Sequence, residues 1–305
     1  MDSENHLNIE CLNDELINRK KLKERKKIEG RKRAIEIAKD RQREKQKSDG
    51  NHCNTSDDTT KSRRSRHGAR NQHRHKHFVR WLAQNFPHVF ESCKVDNIKN
   101  LKDEPNSEDG KISHILDVAG GKGELSARLS MCYNCQVVMV DPRLADICSC
   151  FEKDILKSLP KKWQERISSH RANNADYIAE IAEKRFNQLV MNFDQYHVDS
   201  NSSLLEAVQN CKLIIGLHAD GATEAIVDVA LAYHKPFVVV PCCVFPNLFR
   251  DRKVMNEETG KFISVRNHDQ FCQYLKMKDS HFRQDVLPFE GRNVAIWWDG
   301  KHSDM

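Results

Sequence analysis

LDVAGGKGELS, residues 116–126, is the stretch that decides the fold. Its acidic residue, Asp117, stands near the end of an apolar run, HILDVA (114–119), that reads as a buried strand. Ala119, Gly120, Gly121 and Gly123 then turn the chain, and ELSARLS (124–130) opens a helix. Glycines in such a turn permit unusual backbone angles and let a ligand come close to the main chain. Eighteen residues beyond Gly123, Asp141 closes the next strand, QVVMVD (136–141). A carboxylate there can accept hydrogen bonds from both hydroxyls of a ribose. The two features together are more informative than either alone.

Working outward, short apolar runs alternate with helical patterns. Residues 144–168 read as one or two helices, NQLVMNF (187–193) as a strand candidate and LIIGLH (213–218) as a strand. ATEAIVDVALAYH (222–234) has helical spacing, and PFVVVP (236–241) is a strand again. The tail adds KFISVR (261–266), a helix near 268–277, and NVAIWWD (293–299) as a last strand, with an antiparallel placement open. Upstream, Phe78, Val79, Leu82 and Phe86 recur at helical spacing over 75–86, and Pro87 ends the run. Strands alternating with helices imply right-handed crossovers. The expected fold is α/β: a doubly wound, mostly parallel, Rossmann-like sheet with helices on both faces, over residues 74–305. Trp297 and Trp298 point to opposite faces, so one of the two is expected in the core.

Residues 1–73 read differently. Residues 1–80 hold 23 Lys/Arg against 13 Asp/Glu, and the other 225 hold 27 against 31, so an excess of +10 precedes a remainder of −4. Arg19 to Lys47 is dominated by Lys, Arg and Glu, with an apolar stripe too thin to dock firmly. Residues 48–73 are polar and turn-rich, the composition of a linker. This basic arm is expected to be disordered or helical, and a polar insert is read at 91–111. The chain opens without the pattern of a secretory signal, and its longest apolar stretch is far short of the ~20 residues that cross a bilayer. The 11 cysteines are an odd, scattered set that does not suggest a disulfide framework. The expected setting is cytoplasm or nucleus, with no membrane partner. Oligomeric state is not legible.

Three ligand classes use a crevice like the one at 116–126. A phosphate-binding loop would need GxxxxGK[ST], whereas Lys122 is followed by Gly123 and Glu124. A dinucleotide fingerprint can be forced on Gly121 and Gly123, but its third small position falls on Ser126, and an acid at the first strand would repel a pyrophosphate. Asp117 makes better sense beside a cationic amino group. The stretch resembles the acid-x-Gly-x-Gly-x-Gly motif of class I, Rossmann-like, S-adenosylmethionine-dependent methyltransferases, with Ala119 in place of the first glycine. That resemblance implies S-adenosylmethionine as cofactor, held by Asp117, Ala119, Gly120, Gly121, Gly123, Asp141 and Asp194.

Two further segments would reach the carboxyl ends of the strands, where such sheets bind ligands: GLHADGATEAI (216–226) and VVVPCCVF (238–245). Their His-x-x-Gly, Ala-Thr-acid and Cys-Cys order is similar to a branch of methyltransferase-like proteins that includes tRNA 2′-O-methyltransferases. The likeness spans about residues 112–245, and His218, Gly221, Thr223, Glu224, Cys242 and Cys243 match. Asp220 departs, since related proteins often carry Cys there. Methylation of a hydroxyl gains from a base within reach, and His218 and Asp220 are candidates. Against these stand a histidine bonded to backbone at a strand end and an Asp220 that caps the following helix. Cys242 is a candidate nucleophile of the cytosine-C5 type, although apolar neighbours favour a packed, inert pair. Cys132-x-x-Cys135 lacks a matching pair, and no metal is expected.

The expected function is methyl transfer to RNA, of the tRNA or rRNA class. Alternatives are a protein or small-molecule methyltransferase and, in another class, a non-catalytic adaptor that binds RNA or a protein partner. The arm's Lys/Arg density suits phosphate backbones, and equally a nuclear import signal or a solubilising tail.

Overall fold

The computed structural model describes residues 73–91 and 113–301. The arm at 1–73 lies outside the described residues except for His73, as does nearly all of the insert at 91–111. Residues 245–252 group apart from the main body, which comprises the other described residues. In that short turn Phe245 accepts hydrogen bonds from the Leu248 and Phe249 amides, and the Arg252 guanidinium lies 3.6 Å from the Phe249 ring centre.

The main body is built on a seven-stranded sheet. Its strands are β1 (His114–Val118), β2 (Val137–Val140), β3 (Phe186–Leu189), β4 (Cys211–Leu217), β5 (Phe237–Val240), β8 (Arg283–Val286) and β9 (Val294–Trp298). They lie in the order β3-β2-β1-β4-β5-β9-β8. Neighbours from β3 through β5 pair in parallel, whereas β9 runs antiparallel to both β5 and β8. The order reverses between β1 and β4, and in an open α/β sheet the ligand crevice lies at that reversal. A separate hairpin pairs β6 (Lys253–Asn256) with β7 (Lys261–Ser264), so KFISVR belongs to this hairpin and not to the main sheet.

Both faces of the sheet are covered, and the strands alternate accordingly. On one face Ile214, Phe237, Val239, Ile296 and Trp298 pack with α8 (Ser202–Asn210), α9 (Thr223–Ala232) and α10 (His268–Lys276) through Leu204, Ile226 and Phe271. On the other, Ile115, Leu213, Ile215, Val238 and Trp297 meet α1 (Arg74–Asn85) and α3 (Glu124–Cys132) through Phe78, Leu82, Leu125 and Leu129. Each large apolar side chain so buried contributes about 1.5–3 kcal/mol relative to exposure. Trp297 and Trp298 do point to opposite faces, but both are buried, because neither face meets water.

Pro87 does end α1, and it also starts a short second helix, α2 (Pro87–Glu91). Proline lacks the N–H that a first helical position would leave unbonded. The helical stretch at 144–168 is more broken than its pattern suggests: α4 (Ile147–Cys150), a wide π-type turn (Phe151–Ile155), a 3₁₀ turn (Leu156–Ser158) and α5 (Lys161–Asn173). Between α5 and β4 lie α6 (Tyr177–Arg185) and α7 (Gln195–Ser200). Among the described residues, no helix is long and apolar enough to cross a membrane.

Candidate functional site

The glycine turn follows β1 directly. Ala119 has φ +58° while its N–H donates to the Val140 carbonyl at 2.8 Å, so the parallel ladder holds a left-handed residue in place. An L-residue there carries strain that glycine would avoid, which is why Ala119 departs from the motif at some cost. A Cβ at Gly120 would stand 2.5 Å from the Met139 sulfur and 2.8 Å from the Asp117 carboxylate. Gly123, at φ +80°, forms the N-cap of α3, and a Cβ there would meet the Ile147 methyl at 2.7 Å. The turn is therefore pressed against both β2 and α4, with no room for larger residues at these two positions.

Two carboxylates serve this turn in different ways. Asp141 is fully buried and saturated. Its Oδ2 accepts the Gly121 N–H at 2.9 Å and an Arg143 guanidinium N–H at 3.2 Å, and its Oδ1 accepts the Arg143 backbone N–H at 2.9 Å and Nε at 3.1 Å. The Arg143 side chain is 67% exposed, so its guanidinium is the partner able to leave. Asp117, 1% exposed, accepts the Ser126 hydroxyl on Oδ2 at 2.6 Å, but its buried Oδ1 has no hydrogen-bond partner among the described residues. Burial, assisted by the nearby Asp141 charge and opposed by the Ser126 hydrogen bond, pushes its carboxyl up to about 7. Beside the turn a cleft of about 360 Å³ is lined by Gly121, Lys122, Arg143, Leu144 and residues of α4. Asp194 caps α7, accepting the His197 amide at 2.9 Å and meeting its Nδ1 at 2.6 Å.

The second group gathers at the ends of β4 and β5. His218 has φ +57° and donates its N–H to the Val240 carbonyl at 3.1 Å. Its ring stands edge-on to Phe289, 6.4 Å between centres. Burial, and then the charges of Arg74 and His75 at the start of α1, lower it to about 4, so it is neutral at neutral pH. Asp220, also left-handed at φ +49°, does not serve as the cap of α9; that position is Ala222, with no side-chain cap. The Asp220 carboxylate instead accepts the Cys242 thiol at 3.2 Å. The hydrogen bond with Cys243, burial and the Asp220 charge together push the Cys242 thiol far above its ordinary value. Such a thiol is a poor nucleophile. His268, 5% exposed, bonds through Nε2 to the Pro241 carbonyl at 3.1 Å and so fixes the backbone just before Cys242.

Several contributors were not singled out from the sequence. Arg143 stands two residues after Asp141, and Ser126 lies nine residues after Asp117 in the first turn of α3, so both are hydroxyl or guanidinium donors close in sequence to the acids they serve. His75 meets Glu124 at 2.9 Å, bringing the start of α1 to the first turn of α3. That contact and the approach of Phe289 to His218 are tertiary and have no local signal.

Among solved structures, the chain is similar to the precorrin-6y C5,15-methyltransferase of Geobacter metallireducens GS-15. The alignment covers 60% of this chain and 78% of that one at 10% identity and a TM-score of 0.28, too remote to carry functional meaning. No curated protein matches the chain. Residues 88–245, which contain the glycine turn, both buried carboxylates and the His218–Cys242 group, match the profile of a methyltransferase domain, and the chain belongs to that family.

Proposed function

We propose that this protein is an S-adenosylmethionine-dependent methyltransferase acting on RNA, of the tRNA or rRNA class. The observation that carries the donor assignment is the orphaned Asp117 Oδ1, a buried carboxylate oxygen beside a glycine turn. Leaving such an oxygen unpaired costs about 1–3 kcal/mol or more, and an ammonium donor removes that cost. S-adenosylmethionine has that ammonium, a ribose for Asp141 and a base for the cleft rimmed by Leu144, a residue 82% exposed. When bound, it supplies a methyl group on a sulfonium, open to direct attack by an acceptor.

The chain's own work is then mostly positioning. Arg143 swings off Asp141 to release lone pairs for the ribose hydroxyls. His218, neutral above pH ~5, accepts a hydrogen bond from the acceptor hydroxyl and takes its proton as the new carbon–oxygen bond forms. A weak base suffices, because the hydroxyl becomes strongly acidic once it is alkylated. Asp220 and Cys242 are engaged with each other and are left out of this step.

Support for an RNA acceptor is electrostatic. The +10 excess lies in residues 1–80, and Arg74 and His75 are close enough to His218 to depress its basicity. A cationic approach to the acceptor edge suits a polyanion.

Isothermal titration of the full chain with S-adenosylmethionine tests the donor, and transfer of labelled methyl to total RNA or to protein tests the acceptor. Binding with label in RNA is the expected result. Label in protein alone would overturn the RNA assignment, and failure of the folded chain to bind would overturn the donor. Deleting residues 1–70 is expected to leave the fold intact and to weaken RNA binding at low salt. Undiminished binding would remove the arm as the nucleic-acid determinant.

A further inference from the structure

Among the described residues, one group of potential metal-ligating side chains comes together: Asp220, Cys242 and Cys243, whose ligand atoms all lie within 4.8 Å of one another. We propose that these three residues form a binding site for a thiophilic divalent cation of the zinc class, at the ends of β4 and β5. The site is independent of which donor or acceptor the enzyme uses.

Geometry is the first support. With Zn–S about 2.3 Å and Zn–O about 2.1 Å, tetrahedral ligands stand roughly 3.6–3.8 Å apart. The Cys242 sulfur is 3.2 Å from the Asp220 oxygen and Cys243 lies inside the same 4.8 Å limit, so closure on a metal requires only small side-chain movements. The backbone is the second support. Asp220 adopts a left-handed conformation in which its carboxylate meets Cys242 rather than capping α9. A non-glycine residue held there is strained and marks a place where the surroundings enforce the geometry. On the facing side, the His268–Pro241 hydrogen bond pins the residue that precedes the cysteine pair.

Ligand chemistry then selects the ion. Two sulfurs and one carboxylate favour zinc and its thiophilic relatives over magnesium or calcium, which require oxygen sets. Three protein ligands leave a fourth coordination position, the arrangement of sites that exchange a water or substrate atom. All three residues are only partly buried, so that position is reachable from solvent. By contrast, the CxxC at Cys132 and Cys135 has the familiar spacing, yet the Cys135 sulfur is buried and bonded to the Tyr133 carbonyl.

The test uses the full chain, stripped with chelator, desalted and titrated with Co²⁺ alone. The expected result is one tight equivalent, with a sulfur-to-cobalt absorption band and the visible bands of tetrahedral cobalt, displaced by Zn²⁺. Cys242→Ser and Cys243→Ser are each expected to weaken binding by more than about tenfold, since even outer partners of metal ligands cost about 10–100-fold. Asp220→Asn, which keeps both thiols, is expected to retain the sulfur band at weaker affinity, and Cys148→Ser to change nothing. Should the cysteine variants fail to fold, peptide mapping of wild-type chain alkylated with and without Zn²⁺ decides. Protection of Cys242 and Cys243 supports the site, and equal labelling overturns it. Absence of a tight equivalent, or uptake undiminished in the Cys242→Ser/Cys243→Ser double variant, also overturns it.

Discussion

The ends of β1 and β4 use one backbone device for two purposes. Each strand finishes in a left-handed residue, Ala119 or His218, whose N–H still bonds the last carbonyl of the neighbouring strand, Val140 or Val240. The neighbour then presents its own polar group, Asp141 in one case and Cys242 after Pro241 in the other. Beyond that the two ends diverge. At β1 and β2 the acids are sealed, 1% and 0% exposed, and fixed by short hydrogen bonds. At β4 and β5 the groups are partly open and engage one another through a thiol and a carboxylate. A sealed pair of charges suits one ligand held in one pose; half-open, adjustable groups suit a varied acceptor or an exchangeable ion.

Asp117→Asn should break the sealed end most clearly, because two observables move in opposite directions. Donor affinity is expected to fall about 10–100-fold, the worth of a charge-assisted hydrogen bond of about 1.5–3 kcal/mol. Stability is expected to rise at alkaline pH. The folded carboxyl lies at about 7 against an ordinary 3.8, so between those values the folded state holds a proton that the unfolded state has lost. Stability from this group is complete below the ordinary value and is lost as pH rises through about 7. The difference between wild type and variant should change by roughly 4 kcal/mol from pH 4 to pH 8. Denaturant unfolding at the two pH values checks this, and parallel curves would show that Asp117 is not buried unpaired. In wild type, the proposed pairing of a donor ammonium with ionised Asp117 predicts that donor binding weakens several-fold from pH 7.5 to pH 6.

Next in size is Asp141→Ala, with donor affinity expected to drop tenfold or more. Arg143→Ala should act in the opposite direction at the same carboxylate. Its guanidinium occupies lone pairs that the proposed ribose contact would use, so its removal is expected to leave affinity unchanged or raise it a few-fold by titration calorimetry. A tenfold loss would instead make Arg143 a donor ligand in its own right.

The same contrast explains what could be read from the chain. The sealed end was legible because its parts are contiguous: strand, acid, glycine turn and helix occupy residues 114–132, and Asp141 follows at a fixed remove. The alternation of strands and helices announced the parallel sheet. The edge strand β8, RQDV, was not legible, since an edge position tolerates charge and three of its four residues face solvent. β6 was equally hidden, because a two-stranded hairpin needs only Val254 buried. At the open end His218, Asp220 and Cys242 were identified as residue types, but their roles depended on contacts across the fold. Asp220 turned out to meet Cys242, 22 positions away, where local reasoning offered a helix cap.

The smallest expected effect tests the shared device itself. Ala119→Gly removes the left-handed strain of an L-residue, about 1–2 kcal/mol, and adds back-chain entropy to the unfolded state, about 0.5–1 kcal/mol. The net should be a stabilisation of no more than about 1.5 kcal/mol, with donor affinity unchanged. His218→Gly relieves the same backbone strain but also deletes a ring that is partly buried and packed edge-on against Phe289. It should therefore destabilise the chain and lower the methyl-transfer rate, while donor affinity holds. If both substitutions proved equally neutral in denaturant unfolding and turnover, the His218 ring would have no role beyond its backbone, and the likeness between the two strand ends would extend to their chemistry as well. Opposite signs in unfolding, with turnover lost only at His218, would assign strain relief to one end and acceptor positioning to the other.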